Sequence, residues 1–300
     1  MRTRFCIIHN PNAGSETRRL YDAVLSRLRR SGSHIEVIET ARHGEGMTAA
    51  EAAAKSGRFH AIVAAGGDGT VHDVAEGILG QSTPLGIIPV GTANVFSREI
   101  GLPRSPEALA STLFEGSERT IPVGEVNGRP FLFVVGVGFD AEAVRQFESK
   151  GTRSFGRTGL VGPVLRALAS HRDRLLRMET DRGVTEARWI IVTRTKRYAA
   201  NLMLAPEADL GEAQFQVLCM KGSGPLMRLA QLSTLAIGRL RFGPGVTLET
   251  AAWVKICGER DVPVQIDGEI LGELPLDIRT HSRKLTLILP HVPSGCKGSD

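Results

Sequence analysis

The sequence predicts two domains of different texture. Residues 1–122 read as an α/β domain on a parallel sheet, and residues 123–292 as a mostly antiparallel β domain with inserted helices. Strand-like and helix-like runs alternate through the first part, whereas short β-like runs dominate after Pro122. Repeated βα units imply a parallel sheet covered by helices, with ligands at the carboxyl ends of its strands.

The first domain begins with an apolar run at 5–9, closed by Asn10-Pro11. Residues 15–30 carry Leu20, Val24 and Leu28 at helical spacing, and Ser31-Gly32 stops that helix. A strand at 35–38 and an alanine-rich helix at 47–55 follow. Residues 61–65 form a buried strand ended by Gly66-Gly67, then come a helix at 71–79, a strand at 85–88 and a short helix at 94–100. In the second domain the strands are expected at 131–135, 188–193, 215–220, 263–266 and 284–289, with helices at 160–177 and 226–239. The tail, 293–300, reads as disordered.

A chain of 300 residues, 42% hydrophobic and 23% charged, can bury a large core without a disulfide or metal staple. Cys6, Cys219, Cys257 and Cys296 are widely spaced with no CxxC pair, as in reduced thiols of a cytosolic protein. The start, Met1-Arg2-Thr3-Arg4, turns polar too soon for a signal peptide, and no apolar run approaches the roughly 18 residues a membrane span needs. Membrane contact is therefore expected to be peripheral. The net charge of +5 suits an anionic partner.

Four segments carry the candidate chemistry. Asn10, Pro11, Asn12, Ala13 and Gly14 join a strand to a helix, where small residues let backbone amides approach a phosphate. An ordinary Asn-Pro turn would look the same. Gly66, Gly67, Asp68, Gly69 and Thr70 are more specific, because glycines remove the side chains that would exclude a polyphosphate. Asp68 is the lone acid of that loop, suited to orient magnesium or a hydroxyl, and Thr70 is suited to cap the next helix. One βα unit later, Thr92 and Asn94 in PVGTAN could bind phosphate or ribose, or cap a helix. Finally, Asp267-Gly268-Glu269 places carboxylates at a strand end, where one could accept a hydroxyl proton. A plain Asp-Gly hairpin turn competes with that reading. Gly136-Val137-Gly138-Phe139-Asp140-Ala141 mimics a dinucleotide fingerprint but lacks the acid about 20 residues on, and is rejected as one. No GxxxxGK(S/T) loop, HExxH motif or GxSxG elbow occurs.

In order, NPNAG, GGDGTVHDV, PVGTANVFSREIGLP, GVGFDAEAV and QIDGE resemble the lipid kinase family of bacterial diacylglycerol kinases, sphingosine kinases and ceramide kinases, over residues 5 to about 290. GGDGT is shared with NAD kinases and related to phosphofructokinase loops. The resemblance implies an NAD-kinase-like α/β domain and a C-terminal β-sandwich. It implies ATP contacts at Asn10, Pro11, Asn12, Ala13, Gly14, Thr40, Gly66, Gly67, Asp68, Gly69, Thr70, Val71, His72 and Thr92. Glu269 matches the family's proposed proton acceptor, with Asp267 beside it. Asp68 matches the residue linked to magnesium and the substrate hydroxyl, and the choice of base between Asp68 and Glu269 stays open.

The expected function is transfer of the γ-phosphate of Mg-ATP to a diacylglycerol- or sphingoid-like hydroxyl. Alternatives are an NAD kinase-like enzyme with a soluble substrate, and a nucleotide-binding regulator without turnover. Expected partners are a membrane lipid substrate, the inner membrane face as a peripheral contact, and a second copy of the chain; nucleic acid is not expected. A helix at 160–177, with Leu160, Val164, Leu168 and Leu175 beside Arg166, Arg172, Arg174 and Arg177, is the candidate membrane element. The chain also departs from the family. Val95 and Pro122 stand where acids often occur, and Glu212-Ala213 stands where a structural magnesium site often ends in Asp-Gly.

Overall fold

The computed structural model describes residues 1–13, 18–42, 44–148, 161–198, 202–270 and 272–291. The chain forms two compact units, and neither is contiguous. The first takes Met1–Gly91, Ile100–Thr120 and the chain from Leu285; the second takes Thr92–Glu99 and Ile121–Lys284. A single boundary at 122 is therefore revised. Residues 92–99 belong with the later part of the chain, and the strand residues from Leu285 return to the first unit. The tail at 293–300 lies outside the described residues.

The first unit runs β1 (Arg4–His9), α1 (Arg18–Arg30), β2 (His34–Glu39), α2 (Glu45–Lys55), β3 (Ala61–Gly66), α3 (Asp68–Ile78) and β4 (Leu85–Pro89). After α4 (Val95–Glu99), which belongs to the second unit, the first unit resumes with α5 (Pro106–Glu115). Its strands are parallel in the order β2-β1-β3-β4, and Leu287 of the last strand lies parallel to Leu85. Helix α1 buries Tyr21, Val24, Leu25 and Leu28 on one stripe and carries Arg27, Arg29 and Arg30 in its last turn, where the helix dipole favours cations. Ser105 caps α5 by accepting the Ala108 amide at 3.1 Å, with Pro106 as the first helical residue. Helices α2 and α3 pack at backbone distance, since a Cβ on Gly77 would stand 2.3 Å from the Met47 carbonyl oxygen. Phe5, Ile7, Val24, Val63 and Leu109 lie in the core beneath.

The second unit is a β-sandwich with inserted helices. Its elements are β5 (Ser117–Val126, begun in the first unit), β6 (Arg129–Phe131), β7 (Val134–Val137), α6 (Phe139–Glu148), α7 (Val161–Ser170), β8 (Leu176–Thr180), β9 (Gly183–Ala187), β10 (Trp189–Thr193), β11 (Arg197–Tyr198) and β12 (Leu202–Met203). They continue with β13 (Phe215–Met220), α8 (Pro225–Ala236), β14 (Val246–Ala251), β15 (Val254–Cys257), β16 (Val264–Ile266), β17 (Glu269–Ile270) and β18 (Leu276–Leu289). One sheet is antiparallel in the order β14-β13-β10-β7-β16-β17. Facing it, β18, β15, β8 and β9 pair antiparallel. Val135, Ile190, Val192, Phe215 and Val217 of the first layer share one core with Met178, Val254, Ile256 and Ile278 of the second.

Three expectations need correction. The helix expected at 160–177 ends at Ser170, and Leu176–Thr180 forms β8, where Leu176, Met178 and Thr180 are buried in alternation with exposed residues. A period of two thus replaces the helical one in that stretch; Leu160 lies outside the described residues. Helix α3 begins at Asp68 and not at 71, so the glycine loop feeds straight into it. The strand expected at 131–135 is two strands, β6 and β7, broken at Leu132-Phe133. Among the described residues, no helix is long and apolar enough to cross a membrane.

Candidate active site

The parallel register of the first unit sets four strand ends level. His9 lies opposite Glu39 on one side and Ala65 on the other, and Gly66 lies opposite Pro89. The loops leaving these ends are therefore neighbours. After β1, the Asn10 amide donates to the Ala65 carbonyl at 3.0 Å, and the Asn10 side-chain oxygen accepts the Asn12 amide at 3.0 Å. That Asx turn leaves Pro11 and Asn12 exposed and Ala13 half-buried; Gly14 lies outside the described residues. After β2, buried Thr40 is tied to β1 by its amide, which donates to the His9 carbonyl at 2.9 Å. His9 itself stacks on Tyr21 with ring centroids 4.0 Å apart, and burial holds its pKa below the ordinary value.

The loop between β3 and α3 is built almost wholly of backbone. The Gly66 carbonyl accepts the amides of both Val90 and Gly91, at 3.1 and 3.2 Å, which welds the ends of β3 and β4 together. A Cβ on Gly66 would stand 2.2 Å from Thr70 Oγ1, and one on Gly67 would stand 3.4 Å from Gly91 Cα. The glycines thus admit a tight fold of the chain on itself. Gly67 is the N-cap residue of α3 and no side chain caps this end, so the dipole of an 11-residue helix places positive partial charge at this loop. An anion is the natural occupant of such a position. Asp68 is half-buried, the first residue of the helix and the only acid in its first turn.

The remaining expected contacts divide into two kinds. His72 is half-buried on α3. Val71, by contrast, is 1% exposed, and its amide donates to the Gly67 carbonyl at 3.0 Å. Val71 is therefore a core residue. Thr70 is also buried, packed against Gly66 within the first turn, so it does not cap α3 as expected; Gly67 holds that position.

Thr92 belongs to the second unit, where it is exposed and precedes Asn94, whose φ is 47°. Helix α4 anchors this segment. Phe96 packs on Phe133 with centroids 5.3 Å apart, and the Glu99 carboxylate accepts the amides of Lys196 and Arg197 at 2.9 and 3.2 Å. Burial raises the Glu99 pKa against the pull of those amides. Val95 is half-buried at the start of α4.

Asp267 and Gly268 form the two-residue turn between β16 and β17, with φ of 51° and 91°. Both values are positive, as an Asp-Gly hairpin turn requires. The Asp267 carboxylate accepts three backbone amides: Leu132 at 2.7 Å, Phe133 at 2.9 Å and Val134 at 2.9 Å. These fill the break between β6 and β7. Glu269, two residues on, is half-buried and sits opposite Ile266. The hairpin is braced from behind, because the Gly268 amide donates to Gln265 Oε1 at 2.8 Å and Gln265 Nε2 donates to Asp140 Oδ2 at 2.6 Å.

Asp140 was not singled out as a site residue. Fully buried at the start of α6, it also accepts the Tyr198 hydroxyl, and burial raises its pKa against both hydrogen bonds. It explains the false dinucleotide fingerprint: a Cβ on Gly136 would stand 1.7 Å from Asp140 Oδ2, and Gly138 has a φ of 90° beside the Arg188 carbonyl. Those glycines make room for the protein's own atoms. Among the described residues no group of three or more His, Cys, Asp or Glu could hold a metal ion, so a cation here would lean on Asp68 and on groups its ligand brings.

Residues 4–126 match the diacylglycerol kinase catalytic domain, and residues 133–289 match the YegS C-terminal NAD kinase beta sandwich-like domain. The diacylglycerol kinase of Bacillus subtilis strain 168 is 30% identical over 291 residues, covering 95% of this chain and 95% of that protein. The chain belongs to the diacylglycerol kinase family. The diacylglycerol kinase of Staphylococcus aureus strain JH9 is also similar, 29% identical over 298 residues, covering 97% of this chain and 94% of that protein. The family fold is seen in the crystal structure of a diacylglycerol kinase from Bacillus anthracis strain Sterne, with TM-score 0.72 at 18% identity, covering 98% of this chain and 99% of that one. A second crystal structure from that strain gives TM-score 0.80 at 21% identity, covering 98% and 97%.

Proposed function

We propose that this chain is an ATP-dependent lipid kinase that transfers the γ-phosphoryl group of Mg-ATP to the hydroxyl of a diacylglycerol- or sphingoid-like lipid. The observation that carries this reading is the uncapped N-terminus of α3 inside a glycine loop, level with three other strand ends. Asn10, Pro11, Asn12, Ala13, Gly14 and Thr40 would line one side of the nucleotide, with Gly66, Gly67, Gly69 and His72 under its phosphates and Thr92 as a further contact. Val71 and Thr70 act from behind by holding the loop. Asp68 would hold magnesium, which when bound neutralises phosphate charge.

Little covalent chemistry falls to the protein in phosphoryl transfer, so positioning by these backbone groups should supply most of the acceleration. Glu269 is the residue we assign as acceptor of the hydroxyl proton. Asp267 is reassigned as the structural anchor of its hairpin, since its carboxylate is engaged by three amides.

A lipid substrate requires contact with a membrane. We place that contact on α8 and not on the stretch 171–177. Arg174 there is paired with Glu259 and Asp261, at 3.1 and 3.2 Å. Leu226, Leu229, Ile237 and Phe242 are exposed on and just after α8, with exposed Lys221 and Arg239 in the same stretch, whereas Arg228 is buried against Asp173 and Arg241 pairs with Glu207. Apolar and basic residues together suit an anionic interface on the inner membrane face. A second copy of the chain is the other partner proposed, checked by light scattering. The test of function is phosphorylation of a lipid panel in mixed micelles with radiolabelled ATP; label on a lipid hydroxyl supports the reading, and label on NAD alone overturns it.

A further inference from the structure

Arg194 is 2% exposed, directly after β10, and among the described residues it has no carboxylate partner. Its Nη2 instead donates to three backbone carbonyls: Pro122 at 3.0 Å, Leu210 at 3.2 Å and Glu212 at 2.9 Å. The guanidinium also lies over the Phe215 ring, 5.5 Å from its centroid, and among the described residues Nη1 has no hydrogen-bond partner. A buried cation without a counter-ion is costly, and burial alone lowers its pKa to about 10, which still leaves it charged at neutral pH.

What the charge gathers is informative. Pro122 and Glu212 are two of the three places where the sequence departs from the family pattern, and their carbonyls meet on this one side chain. Arg194 adds to the other bonds of the loop at 209–213, which include the Gly211 amide on Asp209 Oδ1 at 2.8 Å, the Glu212 amide on the Asp209 carbonyl at 3.1 Å and Thr280 Oγ1 on the Ala213 carbonyl at 2.6 Å.

A structural magnesium ion does not fit here. Magnesium demands near-octahedral oxygen ligation, whereas carbonyls of this loop already face a fixed positive charge that repels a second cation. The Glu212 side chain is exposed, and the described residues include no group of three or more His, Cys, Asp or Glu that could hold a metal. We infer that Arg194 is an internal cation that replaces a bound structural metal ion, tying β5, β10 and the 209–213 loop of the second unit through the carbonyls of Pro122, Leu210 and Glu212. The metal requirement of the fold is thereby separated from the metal requirement of Mg-ATP.

The test uses the full chain without nucleotide. Metal content after dialysis is measured by mass spectrometry, and melting is followed with EDTA or with added magnesium. The wild type should hold no stoichiometric divalent metal and melt at the same temperature in both buffers. Arg194→Met, which keeps the length and removes the charge, should melt roughly 5–10 °C lower in both. Arg194→Lys should fall between the two. A wild type that retains one equivalent of divalent metal, or that loses stability in EDTA and regains it with magnesium, overturns the inference. So does an Arg194→Met protein as stable as the wild type. If that variant does not fold, the wild-type metal content and EDTA comparison still decide.

Discussion

The glycine loop of the first unit and the hairpin of the second build polar sites by opposite means. In the first, backbone does the work: Gly66 joins two strand ends through its carbonyl, Gly67 caps α3 without a side chain, and one acid, Asp68, stands at the helix start. In the second, side chains do it. Asp267 holds three amides from a distant segment, and Gln265 and Asp140 brace the turn from within the core. A backbone site tolerates no added atoms, whereas a side-chain site tolerates no lost ones. The comparison also bears on the acids: Asp68 and Glu269 are the ones proposed for chemistry, while the carboxylates of Asp267 and Asp140 are engaged by three amides and by Tyr198 and Gln265.

The largest effect should come from Asp68→Asn, which is nearly isosteric and removes only charge. It should lower kcat by at least about 10²-fold with an unchanged melt. Glu269→Gln should likewise lower kcat more than it raises the KM for ATP, because a base acts in the transition state. A loss confined to stability in either variant would erase the distinction drawn between these acids and Asp267.

Asp267→Asn should show the reverse pattern. Its oxygen can still serve some amides, but the charge-assisted bonds weaken, for a loss of about 1–3 kcal/mol in denaturant unfolding with kcat preserved in the folded fraction. Gly66→Ala tests the backbone site from the other side. The new Cβ would stand 2.2 Å from Thr70 Oγ1, so stability should fall by about 1–3 kcal/mol, and the KM for ATP should rise as the loop shifts.

The smallest effect concerns pH. Burial raises the Asp140 pKa in the folded state, so from the ordinary carboxylate range up through that raised value the native protein binds more protons than the unfolded chain. Stability contributed by this group is then present below that range and declines as pH rises through it. Asp140→Asn should flatten that decline in melting temperature against pH. An unchanged profile would show that Asp140 does not titrate differently on folding.

Much of the first unit was legible because its signals are local. The strand and helix periods, the glycines at strand ends and the order of the loops all lie within short windows, and they gave the parallel sheet and the loops at its strand ends. The second unit was less legible. Asp267 looked like a catalytic neighbour of Glu269, because its partners at Leu132, Phe133 and Val134 are more than a hundred residues away. Arg194 carried no motif at all, and neither did Glu99, whose amide partners lie beyond β10. At 171–177 the arginines and leucines fitted a helix, but pairing with β9 and β15 drew Leu176–Thr180 into a strand. One missed element was readable in hindsight: Ser105-Pro106-Glu107 is a helix start by its residues alone.

We propose that the glycine loop with Asp68 serves phosphoryl transfer to a lipid hydroxyl. The direct measurement is transfer of radiolabel from γ-labelled ATP to a panel of diacylglycerols, sphingoid bases and NAD in mixed micelles, run beside Asp68→Asn. Label is expected on a lipid of the panel, none on NAD, and at least about 10²-fold less in the variant. Nucleotide binding without transfer to any lipid, or equal transfer by the variant, would contradict it.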